Sequence, residues 1–523
     1  MSDAPPRKGQ AWKPKGNPWL IAVIVTLAAF MEILDTTIVN VALPHIAGSM
    51  SVSSDDATWT LTSYLVANGI VLTISGWLGH VLGRKRYFII CIVMFTVCSL
   101  LCGLSGSLAQ LIFFRLAQGF FGGGLQPNQQ AIILDTFPPA RRGAAFAVTA
   151  FATVVAPVLG PSLGGWITDN YSWRWVFFIN LPVGLLAFFG VMQLVEDPPW
   201  AKGKRADRLD GIGLALIALG LGSLQIVIDR GEDEDWLGSS FIRIFFCLAV
   251  VGILGAITWL LYTDKPIVNL RVLKDRNLAV GSVLIAAMAA ILYGSAVVIP
   301  QLAQQVLGYT ATLAGLILSP GALLICLLIP VANMVQRVVP TKYVIMFGFG
   351  CIGFAMIYSH GITPDVDFIT LGLMRAAQAG GLAFIFAPLS TVTFSTIARE
   401  DNGDATALFT MFRNVFGSIG ISVSTAMTTE RTQVQLAHIQ PHMTPLDPGY
   451  ASLLAQVKQG IAAYGQGGSG SAMGMIYQTF RMQGAVLAYA DIFTFCAVLA
   501  FLVMPLTLLF SGVKKGGGGG GVA

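Results

Sequence analysis

Charge is scarce in this sequence. Lys, Arg, Asp and Glu make up 11% of 523 residues, 31 basic against 26 acidic, with only five histidines and seven cysteines. A soluble domain carries about a quarter of its residues as charges to cover its surface, so composition excludes a soluble enzyme or nucleic-acid-binding module. Alternating ten-residue segments, the mark of an outer-membrane barrel, are missing. So is a small-residue cleavage site after the first apolar block, and no cleavable signal peptide is expected. No Lys-Ser/Thr closes a glycine-rich turn as in a phosphate cradle. No Ser-His-Asp, HExxH or paired-Cys constellation occurs in a watery setting, and His438 and His442 lack further ligands for a metal. The cysteines all lie in apolar blocks and read as small hydrophobes.

What is present is apolar sequence: 55% hydrophobic residues and a mean hydropathy of +0.73. It falls into blocks of roughly 20 residues, enough to cross a ~30 Å hydrocarbon core as a helix. Spans are expected at 18–41, 58–79, 87–105, 108–135, 144–168, 175–194, 210–229, 241–262, 278–300, 311–333, 342–360, 367–393, 405–428 and 485–510, about fourteen in all. The fold class is all-α and polytopic. Basic clusters (Arg84, Lys85 and Arg86; Arg141 and Arg142; Lys202, Lys204, Arg205 and Arg208; Lys514 and Lys515) alternate with loops poor in Lys and Arg, including 44–57 and 231–240. This positive-inside pattern predicts that both termini are cytoplasmic.

The chain repeats itself. Arg115 and Gln118 recur as Arg375 and Gln378 at an offset of 260 (375 − 115), where Gly143 also meets Gly403 and Gly160 meets Gly420. Internal duplication is the recurrent architecture of secondary transporters, whose halves rock around a midplane site. The expected organisation is a cytoplasmic leader 1–17, a six-helix half 18–194, a linker 195–277 with two extra spans, a six-helix half 278–510, and a glycine-rich tail 511–523. Within the second half, 429–484 is expected to be a polar periplasmic loop, its Gln-rich ends continuing the flanking helices and its Gly/Ser centre forming a flexible tip.

An ionisable side chain at the middle of a span costs at least ~2.5 kcal/mol and needs a reason. The first span carries Glu32 and Asp35, i and i+3 on one face; the fourth carries Arg115. Counting 1.5 Å per residue, Asp35 and Arg115 both lie roughly 12 Å below the outer boundary. Facing each other, Arg115 would hold Asp35 ionised. Separating them would leave a carboxylate in apolar surroundings, which takes up a proton. The pair reads either as a proton-coupling site or as a static ion pair. Gln118, Gln126, Asn128, Arg413 and Asn414 are substrate-cavity candidates; Arg413 and Asn414 either face the cavity or bond to neighbouring backbone. Arg375 meets Ser295 at the offset position and reads as structural. Asp135, Asp229 and Asp491 sit at span ends, within reach of water. Gly160, Pro161, Gly164 and Gly165 combine a kink with close helix approach.

These residues form motifs. Gly76-Trp77-Leu78-Gly79-x-x-x-Gly83-Arg84-Lys85-Arg86 resembles the loop signature of the major facilitator superfamily, and Arg115-x-x-Gln118-Gly119 is similar to its fourth-span motif. Ala156-Pro157-x-x-Gly160-Pro161-x-x-Gly164-Gly165 resembles its antiporter motif. Leu34-Asp35-Thr36-Thr37 through Ala42-Leu43-Pro44 is like the first-span signature of the fourteen-helix drug/proton antiporter branch. The resemblance covers residues 18–510. It implies a 6 + 2 + 6 helix arrangement and a proton-coupled multidrug exporter in a bacterial inner membrane, driven by the proton gradient without a cofactor. It further implies hydrophobic small-molecule substrates, including drugs, uncouplers or fatty acids. A periplasmic adaptor (EmrA-like) and an outer-membrane channel (TolC-like) would complete a tripartite pump. Asp35 and Arg115, with Glu32, would couple protons, while Gly160, Pro161, Gly164, Gly165, Gly83 and Arg84 would serve conformational change. His80 departs from the family's usual Asp, so that Asp's latch role does not carry over. Glu32 is an unusual extra carboxylate, expected to alter proton stoichiometry or favour cationic substrates. An importer on the same fold, an exporter dedicated to fatty acids, and a membrane sensor or scaffold are the alternatives.

Overall fold

The computed structural model describes residues 14, 16–199, 210–232, 234–264, 266–398, 401–442, 448–463 and 469–511. The basic cluster at 202–208, most of the leader and nearly all of the tail lie outside these residues. No strand occurs among the described residues, which form α1 (Pro18–Met50), α2 (Ser54–Leu82), α3 (Arg84–Gly103), α4 (Leu108–Gly122), α5 (Leu125–Thr136), α6 (Pro139–Asn170), α7 (Trp175–Phe178), α8 (Asn180–Leu194), α9 (Gly211–Arg230) and α10 (Ser240–Tyr262). The second part of the chain forms α11 (Arg276–Gln301), α12 (Ala311–Leu316), α13 (Ser319–Val338), α14 (Thr341–His360), α15 (Phe368–Leu382), α16 (Phe386–Thr393), α17 (Asn402–Ile439), α18 (Pro448–Ala463) and α19 (Ser469–Val503).

The helices begin where side chains satisfy the first free N–H groups. Asn17 accepts from Trp19 N at 2.9 Å, Ser53 from Asp56 N at 3.0 Å and Asp275 from Leu278 N at 2.9 Å. Twelve helical runs among the described residues are long and apolar enough to cross a membrane. The runs 108–136 and 402–439, at the places of the fourth and thirteenth expected spans, are not among them. Both carry the polar residues singled out above: Arg115, Gln118, Gln126 and Asn128 on one, Arg413 and Asn414 on the other. Large apolar side chains such as Phe113, Leu327, Phe354 and Leu502 point outward, at 65–70% exposure. That distribution suits a bundle whose solvent is lipid.

Two boundaries differ from expectation. α1 does not stop near residue 41 but runs through Pro44 to Met50. An interior Pro costs about 3 kcal/mol. Here Ile38, Val39, Ala42 and Ile46 are buried against Ile167, Trp173 and Val176, and that packing offsets the loss. In the region 429–484 the expected Gly/Ser tip falls mostly on residues 464–468, outside the described residues, but the flanks are helical. As expected, α17 extends to Ile439 and α19 starts at Ser469, but an unexpected helix, α18, lies between them and packs on α19.

α1 packs along α6, and α11 along α17. α9 and α10 pair through Gly220 and Gly252, each so close to the other's backbone that a Cβ would collide with it. α9 also touches α2 and α17, whereas α10 presents Val251 and Leu254 outward.

Candidate functional site

Asp35 is fully buried midway along α1, and both its oxygens are occupied. Arg115 Nη1 on α4 donates to Oδ2 at 2.5 Å. Gln118 Nε2, one turn on, donates to Oδ1 at 3.0 Å, and Asn180 Nδ2 at the start of α8 donates to the same oxygen at 2.8 Å. Arg115 is held as firmly. Its Nε donates to the Thr60 carbonyl at 3.1 Å, its Nη1 also reaches Gln118 Oε1 at 2.9 Å, and its guanidinium lies 4.2 Å from the centre of the Tyr64 ring. One buried anion and one buried cation thus compensate each other, with three helices (α2, α4 and α8) supplying the supporting dipoles, the condition under which a buried pair is tolerated.

The structure therefore brings Asp35, Arg115 and Gln118 together, and Gln118 belongs to this network rather than to an open cavity. Asn180 was not anticipated. The signal was available, since it is an amide inside an apolar block, but its partner is 145 residues away. Asn180 also donates to Ser99 Oγ at 2.9 Å, tying α3 to the same node.

Glu32 lies one turn earlier on α1 and is separate from the pair. Its Oε1 accepts from Asn68 Nδ2 on α2 at 2.9 Å, and Gln126 and the Arg413 charge face the same carboxyl. Arg413 is buried, with Nε donating to Asn414 Oδ1 at 3.3 Å. Asn128 belongs elsewhere: its Nδ2 donates to the Arg84 carbonyl at 2.9 Å, near the end of the bundle where α1 starts.

At that same end Arg84 is buried in an ion pair with Asp135 and also donates to the Ala131 carbonyl. Asp135 is thus no water-exposed span end: Arg84 binds it inside the protein. Asp491 is likewise partnered, accepting from Gln435 at 3.1 Å. Gly83 adopts φ +84°, a left-handed turn that lets α3 start directly after α2. Asp197 accepts from the Lys85 N–H at 2.8 Å; burial raises its carboxyl above the ordinary range, and that hydrogen bond opposes the shift. Gly76 lies against Asp404 at the start of α17, and His80 Nε2 would be 3.5 Å from a Cβ on Gly403.

The Gly160–Gly165 segment of α6 runs along α1 beside the ion pair. Gly160 leaves room for Thr37, and a Cβ on Gly164 would come within 2.9 Å of Ile38 Cγ1. Pro157 and Pro161 are interior to α6, and Gly165 accepts from Thr168 Oγ1 at 3.1 Å. The seam thus packs on the residues that follow Asp35 within one turn.

Long apolar helices around a fully buried carboxylate–guanidinium pair, with an echo of the arrangement further along the chain, define a polytopic membrane transporter. Residues 25–421 match the Major Facilitator Superfamily, and the chain belongs to that family. It is 36% identical over 505 residues to the multidrug export protein EmrB of Escherichia coli (strain K12), covering 96% of this chain and 97% of that one. It is 32% identical over 519 residues to the fatty acid resistance protein FarB of Neisseria gonorrhoeae, covering 99% and 100%. Among solved structures, the human organic anion transporter MFSD10 shares the fold with a TM-score of 0.59 at 14% identity, over 94% of this chain and 100% of that one. A POT family peptide transporter gives 0.55 at 17% identity, over 94% and 96%. The chain is a multi-pass inner-membrane protein and a transporter rather than an enzyme.

Proposed function

We propose that this protein is a proton-coupled efflux antiporter for hydrophobic or amphipathic compounds. The observation that carries the reading is the Asp35 node: a carboxylate with no exposure to solvent, held by donors from α4 and α8 on a helix seated against the α6 glycine seam. A shift of α1 along that seam moves Asp35 away from Arg115. The carboxylate then loses its strongest partner and takes a proton, so proton binding and conformation are linked. Linkage is reciprocal: a substrate that favours the paired arrangement lowers the proton affinity of Asp35, and protonation, which favours the separated arrangement, weakens substrate binding by the same factor and promotes its release.

In this reading the two runs 108–136 and 402–439 complete fourteen spans, arranged as six, two and six, with both termini cytoplasmic. Similarity to EmrB over nearly the whole chain supports multidrug export. It also supports a place as inner-membrane component of a tripartite pump, with an EmrA-like adaptor and a TolC-like channel. The segment 429–484, with α18 at its middle, is the docking element of that assembly. The match to FarB favours a second reading, an exporter dedicated to fatty acids.

Proton release from dye-loaded inverted vesicles, comparing wild type with Asp35→Asn, tests the coupling. Undiminished substrate-driven proton movement in the variant would overturn it. Competition of the dye by a series of drugs and fatty acids separates the two substrate readings. Adaptor capture before and after removal of the centre of 429–484 tests the docking.

A further inference from the structure

A second polar cluster lies beside the Asp35 node and shares with it only Tyr64, whose ring faces Arg115. It is built from both halves of the repeat: Glu32 on α1, Tyr64 on α2 and Gln126 on α5 from the first, Thr410 and Arg413 on α17 from the second. All five residues are buried, from 0% to 6% exposed. Each keeps a polar atom without a hydrogen-bond partner: Glu32 Oε2, Tyr64 Oη, Gln126 Oε1, Thr410 Oγ1 and Arg413 Nη2. A buried polar group left unpaired costs about 1–3 kcal/mol, more when charged. Five such groups are therefore an expensive feature for a static core. Glu32 and Arg413 lie within each other's electrostatic reach, yet no ion pair joins them. Glu32 is held by Asn68, and the Arg413 Nε by Asn414. Thr410 is one turn from Arg413 on the same face of α17.

We propose that Glu32 and Arg413 form the two poles of a substrate subsite that takes the zwitterionic head of an amphipathic compound, cation toward Glu32 and anion toward Arg413. This inference rests on the export reading and names the substrate class for it. A head of one sign is matched by one pole and repelled by the other in surroundings of low dielectric, where charge–charge energies are large. A head carrying both signs satisfies both poles, and its remaining polar atoms meet the free oxygens of Tyr64, Gln126 and Thr410. Because the poles belong to different halves, a bound head also bridges them. The extra carboxylate at Glu32 then acts as half of a dipole rather than as a lone cation site.

The test uses three probes with one tail: N-dodecyl-N,N-dimethylglycine, dodecyltrimethylammonium and dodecanoate. Binding to the full-length protein in lipid nanodiscs is followed by tryptophan fluorescence. Wild type is expected to bind the zwitterion at least about tenfold more tightly than either ion, about 1.4 kcal/mol. Glu32→Gln should move the preference to dodecanoate, and Arg413→Gln to dodecyltrimethylammonium. Equal affinities for the three probes in wild type, a measurement that needs no variant to fold, would overturn the inference. So would a preference that neither substitution moves. Intact head-group preference together with undiminished proton movement by Asp35→Asn in the vesicle assay would instead count against the proton-coupled reading alone.

Discussion

Arg375 donates to Ser295 at 2.8 Å across the same separation of 80 residues that joins Arg115 to Asp35. The echo extends further. Gln378 is within 3.5 Å of Arg375 and donates to Ser359 at 2.9 Å, and Ser359 is offset by 260 from Ser99 (359 − 99), which belongs to the Asp35 node. The duplicated frame is retained while the carboxylate is present in one half only. Proton coupling is therefore expected to be asymmetric. Arg115→Gln should abolish substrate-driven proton release in inverted vesicles, whereas Arg375→Gln should lower thermal stability and leave the proton-to-substrate ratio unchanged. Equal loss of coupling in both variants would show that the halves contribute alike.

Arg115→Lys is not a mild change. The guanidinium serves Thr60, Asp35 and Gln118 at once in a fixed fork, which an ammonium group cannot reproduce. Breaking a buried pair typically costs about 3–5 kcal/mol. Arg115→Lys should lose a large part of that and most transport. Asp35→Asn combined with Arg115→Gln should destabilise less than the sum of the single changes, because neither charge is stranded. Thermal unfolding in detergent measures both effects, and strict additivity would argue that the two side chains do not interact.

A methyl group at Gly160 collides with the Thr37 side chain. Gly160→Ala should therefore push α6 off α1 and reduce transport, and Thr37→Ala should restore part of it by clearing the space. Vesicle efflux assays on the two single variants and the pair check this. Absence of rescue would place the defect elsewhere than in the helix contact.

Replacing His80 with the family's usual Asp should weaken rather than strengthen closure at that end of the bundle. His80 sits beside Gly403, next to Asp404, so His80→Asp brings a second carboxylate toward an existing one. Like charges at close range are unfavourable. Labelling of a cysteine placed at Gly79 by a water-soluble maleimide should speed up severalfold in the variant, and unchanged labelling would sink the idea.

Much of this was readable in the sequence, because the bilayer enforces two local rules. Apolar blocks must be long enough to span, and charges within them must have partners. Asp35 and Arg115 stand out by the second rule, and matching depths along their helices bring them to one level. What stayed hidden depends on contacts remote in sequence or on packing. Asn180 is an amide in an apolar block, but nothing local aims it at Asp35. Asp135 looked like a wetted helix end until Arg84 was seen to bury it. Pro44 ordinarily ends a helix; it failed to do so because the residues around it pack on α6 and its neighbour Trp173. α18 does carry apolar residues at helical spacing (Tyr450, Leu453, Leu454 and Val457), a signal masked by the Gln and Gly around it, and it packs on α19.

α19 has 35 residues, about 52 Å of helix against a hydrocarbon layer of about 30 Å. It packs against α11, α14 and α17, and its length exceeds the layer by about 20 Å. A rigid rod fixed at one end is a lever. If rocking tilts the helix by about ten degrees, the free tip swings by about 3–4 Å, a distance comparable with a hydrogen bond made or lost. α18, packed on α19, travels with it. On the proposed reading, a state change that begins at a buried carboxylate would be broadcast mechanically beyond the lipid, where a neighbouring protein could sense it without touching the substrate path.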